Sequence, residues 1–297
     1  MTPIRDLQPD LNEDDLPRLV VNSKGAPGMR ADIVLRRFNE MSEGLRARRE
    51  NRSFTVIGHR GASGYAPENT MASFLKAVEC GVPMIECDVH ETKDGVVAVI
   101  HDPDVARTTD GQGAVSDLTW SELRKLDAGS WFKPEFAGQK IPRIEEVFEI
   151  LGPKVLIDIE VKAGASLYPN IVKKLAALIR NYDLADRVMI SSFHAEYLRE
   201  ARELLPESEI TLIYSKPRPA AVQEAVREGW HSLHPRWDQT TPQLIAEAHA
   251  HGILVRPWNF NQDEQMRTYL QMDIDGISSD FPDLALQVAA EFGHVKA

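Results

Sequence analysis

Two cysteines, Cys80 and Cys87, in 297 residues are too few for a disulfide framework, and their apolar and helical surroundings read as two reduced thiols. Long apolar runs are also missing, which excludes a transmembrane helix. The start, Met1-Thr2-Pro3-Ile4-Arg5-Asp6, leads into the acidic Asn12-Glu13-Asp14-Asp15 without the apolar stretch of a signal peptide, so a cytoplasmic protein is expected. Positive charge is short: 34 Lys and Arg stand against 45 Asp and Glu, for a net charge of -11. No broad basic field exists to steer a polyanion, which excludes nucleic acid as the main partner. An anionic substrate would have to be held by local positive groups.

What is present is an ordinary globular composition, 43% hydrophobic and 27% charged, enough for a sizeable core and against wholesale disorder. From Ser53 onward, apolar β-branched runs alternate with helical patterns. Strands are predicted over 54–58, 84–89, 155–161, 187–192, 210–214, 231–234, 253–256 and 274–278. Helices are predicted over 70–80, 168–182, 195–205, 219–228, 242–251 and 262–271. Eight strand-then-helix units in this span fit an α/β fold, a (β/α)8 TIM barrel, better than an open sheet.

Two segments stand outside that repeat. Residues 1–52 form an N-terminal extension, loop-like at first and then carrying Val34, Leu35, Phe38, Met41 and Leu45 at helical spacing. Its arginines would let that helix lie on a membrane, but Glu40, Glu43 and Glu50 dilute the charge, so packing on the domain surface is the favoured reading. Residues 103–143 are too long and too rich in Gly and aromatics for a βα loop, and read as an inserted cap after the second strand. A cap at the carboxyl end of a barrel strand lies over the active site.

The chemistry collects at strand ends. Side chains alternate along a strand, so Glu86 and Asp88 share a face, as do Glu160 and Lys162. Two carboxylates about 4 Å apart repel by roughly 4 kcal/mol at an effective dielectric near 20. A hard divalent cation, Mg²⁺ or Ca²⁺, relieves this. The competing reading pairs Glu86, Asp88 and Glu160 with Arg60 and Lys162 and needs no metal, although buried pairs seldom repay their desolvation. His59 and His101 each follow an apolar run, with Asp102 as an orienting partner for His101. His234 after the sixth strand is a marginal candidate for the pocket, His90 reads as a bystander, and Asp280 is read as a cap on the following helix.

His59-Arg60-Gly61, Glu68-Asn69-Thr70, Glu86-Cys87-Asp88-Val89, Lys93-Asp94-Gly95, His101-Asp102, Arg107-Thr108-Thr109-Asp110-Gly111, Ile157-Asp158-Ile159-Glu160-Val161-Lys162 and Asp275-Gly276-Ile277-Ser278-Ser279-Asp280 closely resemble the glycerophosphodiester phosphodiesterase family. The resemblance runs from Phe54 nearly to the end. It implies a (β/α)8 barrel that hydrolyses glycerophosphodiesters to glycerol 3-phosphate and an alcohol with a divalent cation. By similarity, Glu86, Asp88 and Glu160 bind the metal, His59 and His101 are the acid/base pair, and Arg60 and Lys162 hold phosphate oxygens. Trp258 would wall the pocket. The resemblance also suggests attack by the neighbouring glycerol hydroxyl, giving a cyclic phosphate that water opens. Asn259 and Arg143 depart from the family's usual Thr, and are expected to bear on substrate preference rather than on chemistry. A phospholipase D-like activity on lysophospholipids, with Trp131, Phe132, Phe136 and Trp258 lining a groove, is the alternative. A non-catalytic phosphodiester-binding module is a third reading, disfavoured because no catalytic position is missing.

Overall fold

The computed structural model describes residues 44–295. The predicted helix over 30–49 therefore lies mostly outside the described residues; its end is seen as α1, Leu45–Glu50. Eight parallel strands follow the predicted order: β1 Thr55–Gly58, β2 Met84–Glu91, β4 Leu156–Val161, β5 Val188–Ser192, β6 Glu209–Tyr214, β7 Ser232–Pro235, β8 Leu254–Val255 and β9 Gly276–Ser279. Their spatial order is β8-β7-β6-β5-β4-β2-β1-β9. Backbone hydrogen bonds from Asp275 N to Val255 O (2.9 Å) and from Phe260 N to Ser278 O (2.8 Å) draw the two ends together. The result is a nearly closed (β/α)8 barrel.

Helices α2 Met71–Cys80, α4 Ile144–Leu151, α5 Ile171–Asn181, α6 Ala195–Leu204, α7 Ala221–Glu228, α8 Pro242–Ala250, α9 Asp263–Leu270 and α10 Pro282–Glu291 connect the strands. The alternation within each strand separates two environments. Ile85, Cys87 and Val89 of β2 and Ile157, Ile159 and Val161 of β4 face the helices and join the main apolar core. The intervening Glu86, Asp88, Asp158 and Glu160 take the opposite face, towards the barrel axis. Both cysteines are free, Cys87 buried and Cys80 half-buried.

One strand was not foreseen. β3, Val97–Val99, pairs antiparallel with the end of β2, with Val89 opposite Val99. It brings His101 back over the barrel mouth. Residues 103–143 then contain the short helix α3, Trp120–Leu123, and two single 3₁₀ turns. They bury Val105, Val115, Leu123, Ala128 and Ile141 in a small apolar cluster of their own with Ala98 and Ile100.

At the opposite end of the barrel, Leu45 of α1 is 1% exposed and packs with Ile57, Met84, Leu156 and Met189. The extension thus closes the floor. Beside this plug, Arg256 donates through Nη1 to buried Glu209, which also accepts from Ser232 Oγ at 2.7 Å. Among the described residues, no helix is long and apolar enough to cross a membrane.

Candidate active site

The β1-to-α2 turn carries the first group of side chains. Arg60 and Gly61 both have positive φ, 53° and 87°. Only glycine fits at 61, because a Cβ there would come within 2.5 Å of Ser73 Oγ and 2.6 Å of the Ser73 carbonyl carbon. Arg60, held in the left-handed region, turns its backbone N–H onto Glu86 Oε2 at 2.7 Å while its guanidinium donates to Glu68 Oε1 at 2.8 Å.

Glu86, Asp88 and Glu160 meet as expected from the strand register, which places Asp88 beside Glu160. One oxygen from each lies within 4.8 Å of the others, and all three are buried. Two bases share their charge. Lys162 Nζ is 3.0 Å from Asp88 Oδ1 and donates to Glu160, and Arg60 Nε is 3.3 Å from Asp88 Oδ2. Burial would raise Asp88, but Lys162 and then Arg60 hold its carboxyl well below the usual range. Glu86 behaves oppositely: burial, followed by repulsion from Asp88 and Glu160, pushes it well above. Its Oε1 is buried without a partner among the described residues.

These residues fit a hard divalent cation. Oxygens on one Ca²⁺ sit 2.3–2.6 Å from it, so they cannot be more than about 5 Å apart. Lys162 and Arg60 face Asp88 and Glu160, and the Glu86 oxygen that neither reaches is a candidate ligand position. The metal-free pairing reading accounts for Asp88 and Glu160 but leaves Glu86 uncompensated.

The two histidines form matching dyads. His59 Nδ1 donates to Asp280 Oδ1 at 2.6 Å, and His101 Nδ1 to Asp102 Oδ1 at 2.5 Å. Asp280 is itself held by Asn259 Nδ2 (2.8 Å) and Asn261 Nδ2 (2.5 Å). Burial favours its neutral form, yet the hydrogen bonds from His59 and the two asparagines keep it well below the usual carboxylate range. Arg107 grips Asp102 Oδ2 at 2.5 Å and Glu68 Oε1 at 2.7 Å, drawing the Asp102 carboxyl down to about 2. Burial lowers His101. His90, also lowered by burial, to about 4, is fixed between the Tyr168 hydroxyl and the His101 carbonyl oxygen.

One cavity of about 100 Å³ is lined by His59, Arg60, Glu86, His101, Glu160 and Lys162. Asp88, almost fully buried, is not in its lining. Phe193 and Trp258, which meet edge to face at 6.0 Å, also line it.

All eight sequence-predicted site residues therefore come together, and His234 joins them in the cavity lining. Three expectations change. Asp280 does not cap α10, whose N-terminus has no side-chain cap; it holds His59. Arg143 lies at the N-terminus of α4, its N–H on Glu146 Oε2 at 3.0 Å, outside the cavity lining, whereas Asn259 Nδ2 donates to Asp280 of the His59–Asp280 dyad. Among the described residues, none of 103–143 lines this cavity; Phe132 instead meets Trp131 and Phe136 edge to face. Phe193 was missed, since an aromatic directly after a strand end carries no signal of its own.

Comparison with known proteins gives a consistent picture. Residues 59–284 match the model of the "Glycerophosphoryl diester phosphodiesterase family". The chain is 41% identical over 239 residues to a glycerophosphodiester phosphodiesterase of Caldanaerobacter subterraneus subsp. tengcongensis, covering 80% of this chain and 98% of the relative. A glycerophosphodiester phosphodiesterase of Bacillus altitudinis is 35% identical, over 80% of this chain and 98% of its own length. Among solved structures, an Oleispira antarctica phosphodiesterase in complex with the product sn-glycerol-3-phosphate superposes with a TM-score of 0.76 at 28% identity, over 82% of this chain and 99% of that one.

Proposed function

The chain belongs to the glycerophosphoryl diester phosphodiesterase family, and from that premise we propose that it hydrolyses glycerophosphodiesters to sn-glycerol 3-phosphate and an alcohol. The observation that carries this is the pair of Asp-anchored histidines facing one cavity across a buried carboxylate triad.

Each aspartate occupies Nδ1 of its histidine, which leaves Nε2 for substrate. A phosphodiester carries a negative charge that repels nucleophiles, and Arg60 and Lys162 neutralise the charge growing on its non-bridging oxygens. One imidazole takes the proton of the glycerol hydroxyl that attacks phosphorus. The other gives a proton to the alcohol oxygen as its bond to phosphorus breaks. Water then opens the cyclic phosphate with the two roles exchanged. Glu86, Asp88 and Glu160 would hold Mg²⁺ or Ca²⁺, which when bound supplies Lewis-acid stabilisation of the phosphoryl oxygens. Trp258 forms an apolar wall, its indole N–H fixed on the His234 carbonyl oxygen at 2.8 Å.

The lysophospholipid reading needs a wide aromatic groove, and the packing of Phe132 against Trp131 and Phe136 does not favour it. We place the protein in the cytoplasm, a reading supported by its two free cysteines. The test is turnover of glycerophosphocholine by metal-stripped protein with added Mg²⁺ or Ca²⁺. Activity is expected to return with metal and to fall at least about 100-fold in His59→Ala. Equal turnover with and without chelator would overturn the metal assignment, and an active His59→Ala the catalytic one.

A further inference from the structure

A second cavity of about 250 Å³ lies beside the first and is more open to solvent. The two share His101, Glu160, Lys162 and Phe193, whereas His59, Arg60 and Glu86 line only the first and Pro103, Ala163 and His194 only the second. A phosphate gripped by Lys162 thus stands at the junction, with one of its two ester arms in this groove.

The groove has a prepared wall. His90 Nε2 donates to the His101 carbonyl oxygen at 3.0 Å, so its Nδ1 accepts from the Tyr168 hydroxyl at 2.9 Å. The Tyr168 N–H donates to the Tyr197 hydroxyl at 2.5 Å, and the Tyr197 ring meets the His194 ring edge to face at 5.9 Å. Both nitrogens of His90 are therefore committed. His194 is different. It is half-buried, neither ring nitrogen has a hydrogen-bond partner among the described residues, and neither is closed off from solvent. An imidazole offers at least one N–H in either protonation state, so His194 brings an open donor to the groove.

The same groove is poor ground for a cation. Among the described residues, Glu160 is the one carboxylate in its lining, and it accepts from Lys162 Nζ. Phe193, 37% exposed, carries the Lys162 ammonium 5.9 Å from its ring centroid. A quaternary ammonium group is recognised by aromatic faces of its own. Here it would stand beside an ammonium.

Resting on the hydrolase reading above, we infer that this groove is the subsite of the leaving alcohol, that it prefers an uncharged polyol to a quaternary ammonium alcohol, and that His194 is its specificity-determining residue. The His194 N–H donates to a hydroxyl of the polyol beyond the ester oxygen, a group that choline lacks.

The experiment compares glycerophosphoglycerol with glycerophosphocholine in the presence of Mg²⁺ or Ca²⁺, with kcat/KM counted per equivalent ester bond. In the wild type the glycerol diester is expected to react at least about tenfold faster, since a gained hydrogen bond and an avoided like charge act together. His194→Ala is expected to lower that ratio at least about fivefold by slowing the glycerol diester alone, and His194→Gln to regain part of it. Equal use of both diesters by the wild type, a ratio unchanged in His194→Ala, or an equal loss on both diesters overturns the subsite. Calorimetric binding of the intact diesters to His59→Ala, with and without His194→Ala, separates this inference from the hydrolase reading. If the wild type cleaves neither diester, the hydrolase reading fails, while a binding preference of about tenfold for the glycerol diester that His194→Ala removes still upholds the subsite. Absence of that preference overturns it.

Discussion

At the scale of single residues, the candidate site divides into groups that line the cavity and groups that hold them in place. His59 and His101 were legible because each closes an apolar run with an ionisable residue beside Arg or Asp. Asp102 was visible for the same reason, adjacent to the histidine it orients. Asp280 was not, since it lies 221 residues from His59 and meets it only when β1 and β9 pair. Its short acidic-residue-then-Pro context looks like a helix start, and nothing local distinguishes an anchor from a cap. Asn259 was noticed as a departure, but its contact with Asp280 depends on where the loop after β8 runs. If Asp280 only positions His59, Asp280→Ala should lower kcat about 10- to 100-fold with KM changed much less, in a protein that still folds. A KM effect larger than the kcat effect in steady-state assays would instead make Asp280 a substrate contact.

At the scale of elements, strand periodicity carried the most information. Glu86 with Asp88, and Glu160 with Lys162, share faces by the two-residue repeat alone, and the β2–β4 register then sets Asp88 beside Glu160. What periodicity missed was β3, three residues long and buried on both sides, which looks like a tail of β2. The inserted segment was legible as an insertion, though not its role. It holds the site from the side through Arg107, which ties Asp102 of the His101 dyad to Glu68 beside Arg60. Arg107→Ala should therefore reduce kcat about tenfold. It also has a pH signature. A carboxyl at about 2 in the folded state stabilises the fold above its unfolded value near 3.9, and that contribution is lost as pH falls from about 4 to 2. Wild type should thus melt above Arg107→Ala at pH 7, with the gap closing below pH 4. A constant gap across that range, read from thermal midpoints, would assign the loss to packing.

At the scale of the whole molecule, three histidines are held as neutral rings, His90 and His234 buried and His231 half-buried: His90 and His231 at about 4 and His234 at about 3, each lowered chiefly by desolvation. In the unfolded chain they titrate near 6.5. Between pH 6.5 and 4 the unfolded state binds protons that the folded state refuses, so stability falls as pH drops. Glu86 and Asp158, both raised chiefly by burial, bind protons in the fold over the same range and oppose this slope, so the histidine contribution is read as a difference: the metal-free wild type should lose more thermal midpoint between pH 7 and pH 5 than His234→Leu does. An identical change in both would mean that this ring is reached by water. The barrel itself was readable from eight alternations of strand and helix, whereas the plug formed by Leu45 was not, because a helical stripe does not say which surface it covers. The same holds for the floor of the cavity: His234 sits in an ordinary strand end, and its ring is buried only once eight strands have closed around it.

The central claim is that the two dyads and the carboxylate triad cleave the bond between phosphorus and the alcohol, keeping phosphate on glycerol. Phosphorus NMR of glycerophosphocholine digested by the metal-loaded protein tests this directly. The predicted spectrum shows the diester signal replaced by sn-glycerol 3-phosphate, with a cyclic glycerophosphate signal in transit. Accumulation of phosphocholine, or an unchanged diester, would contradict it.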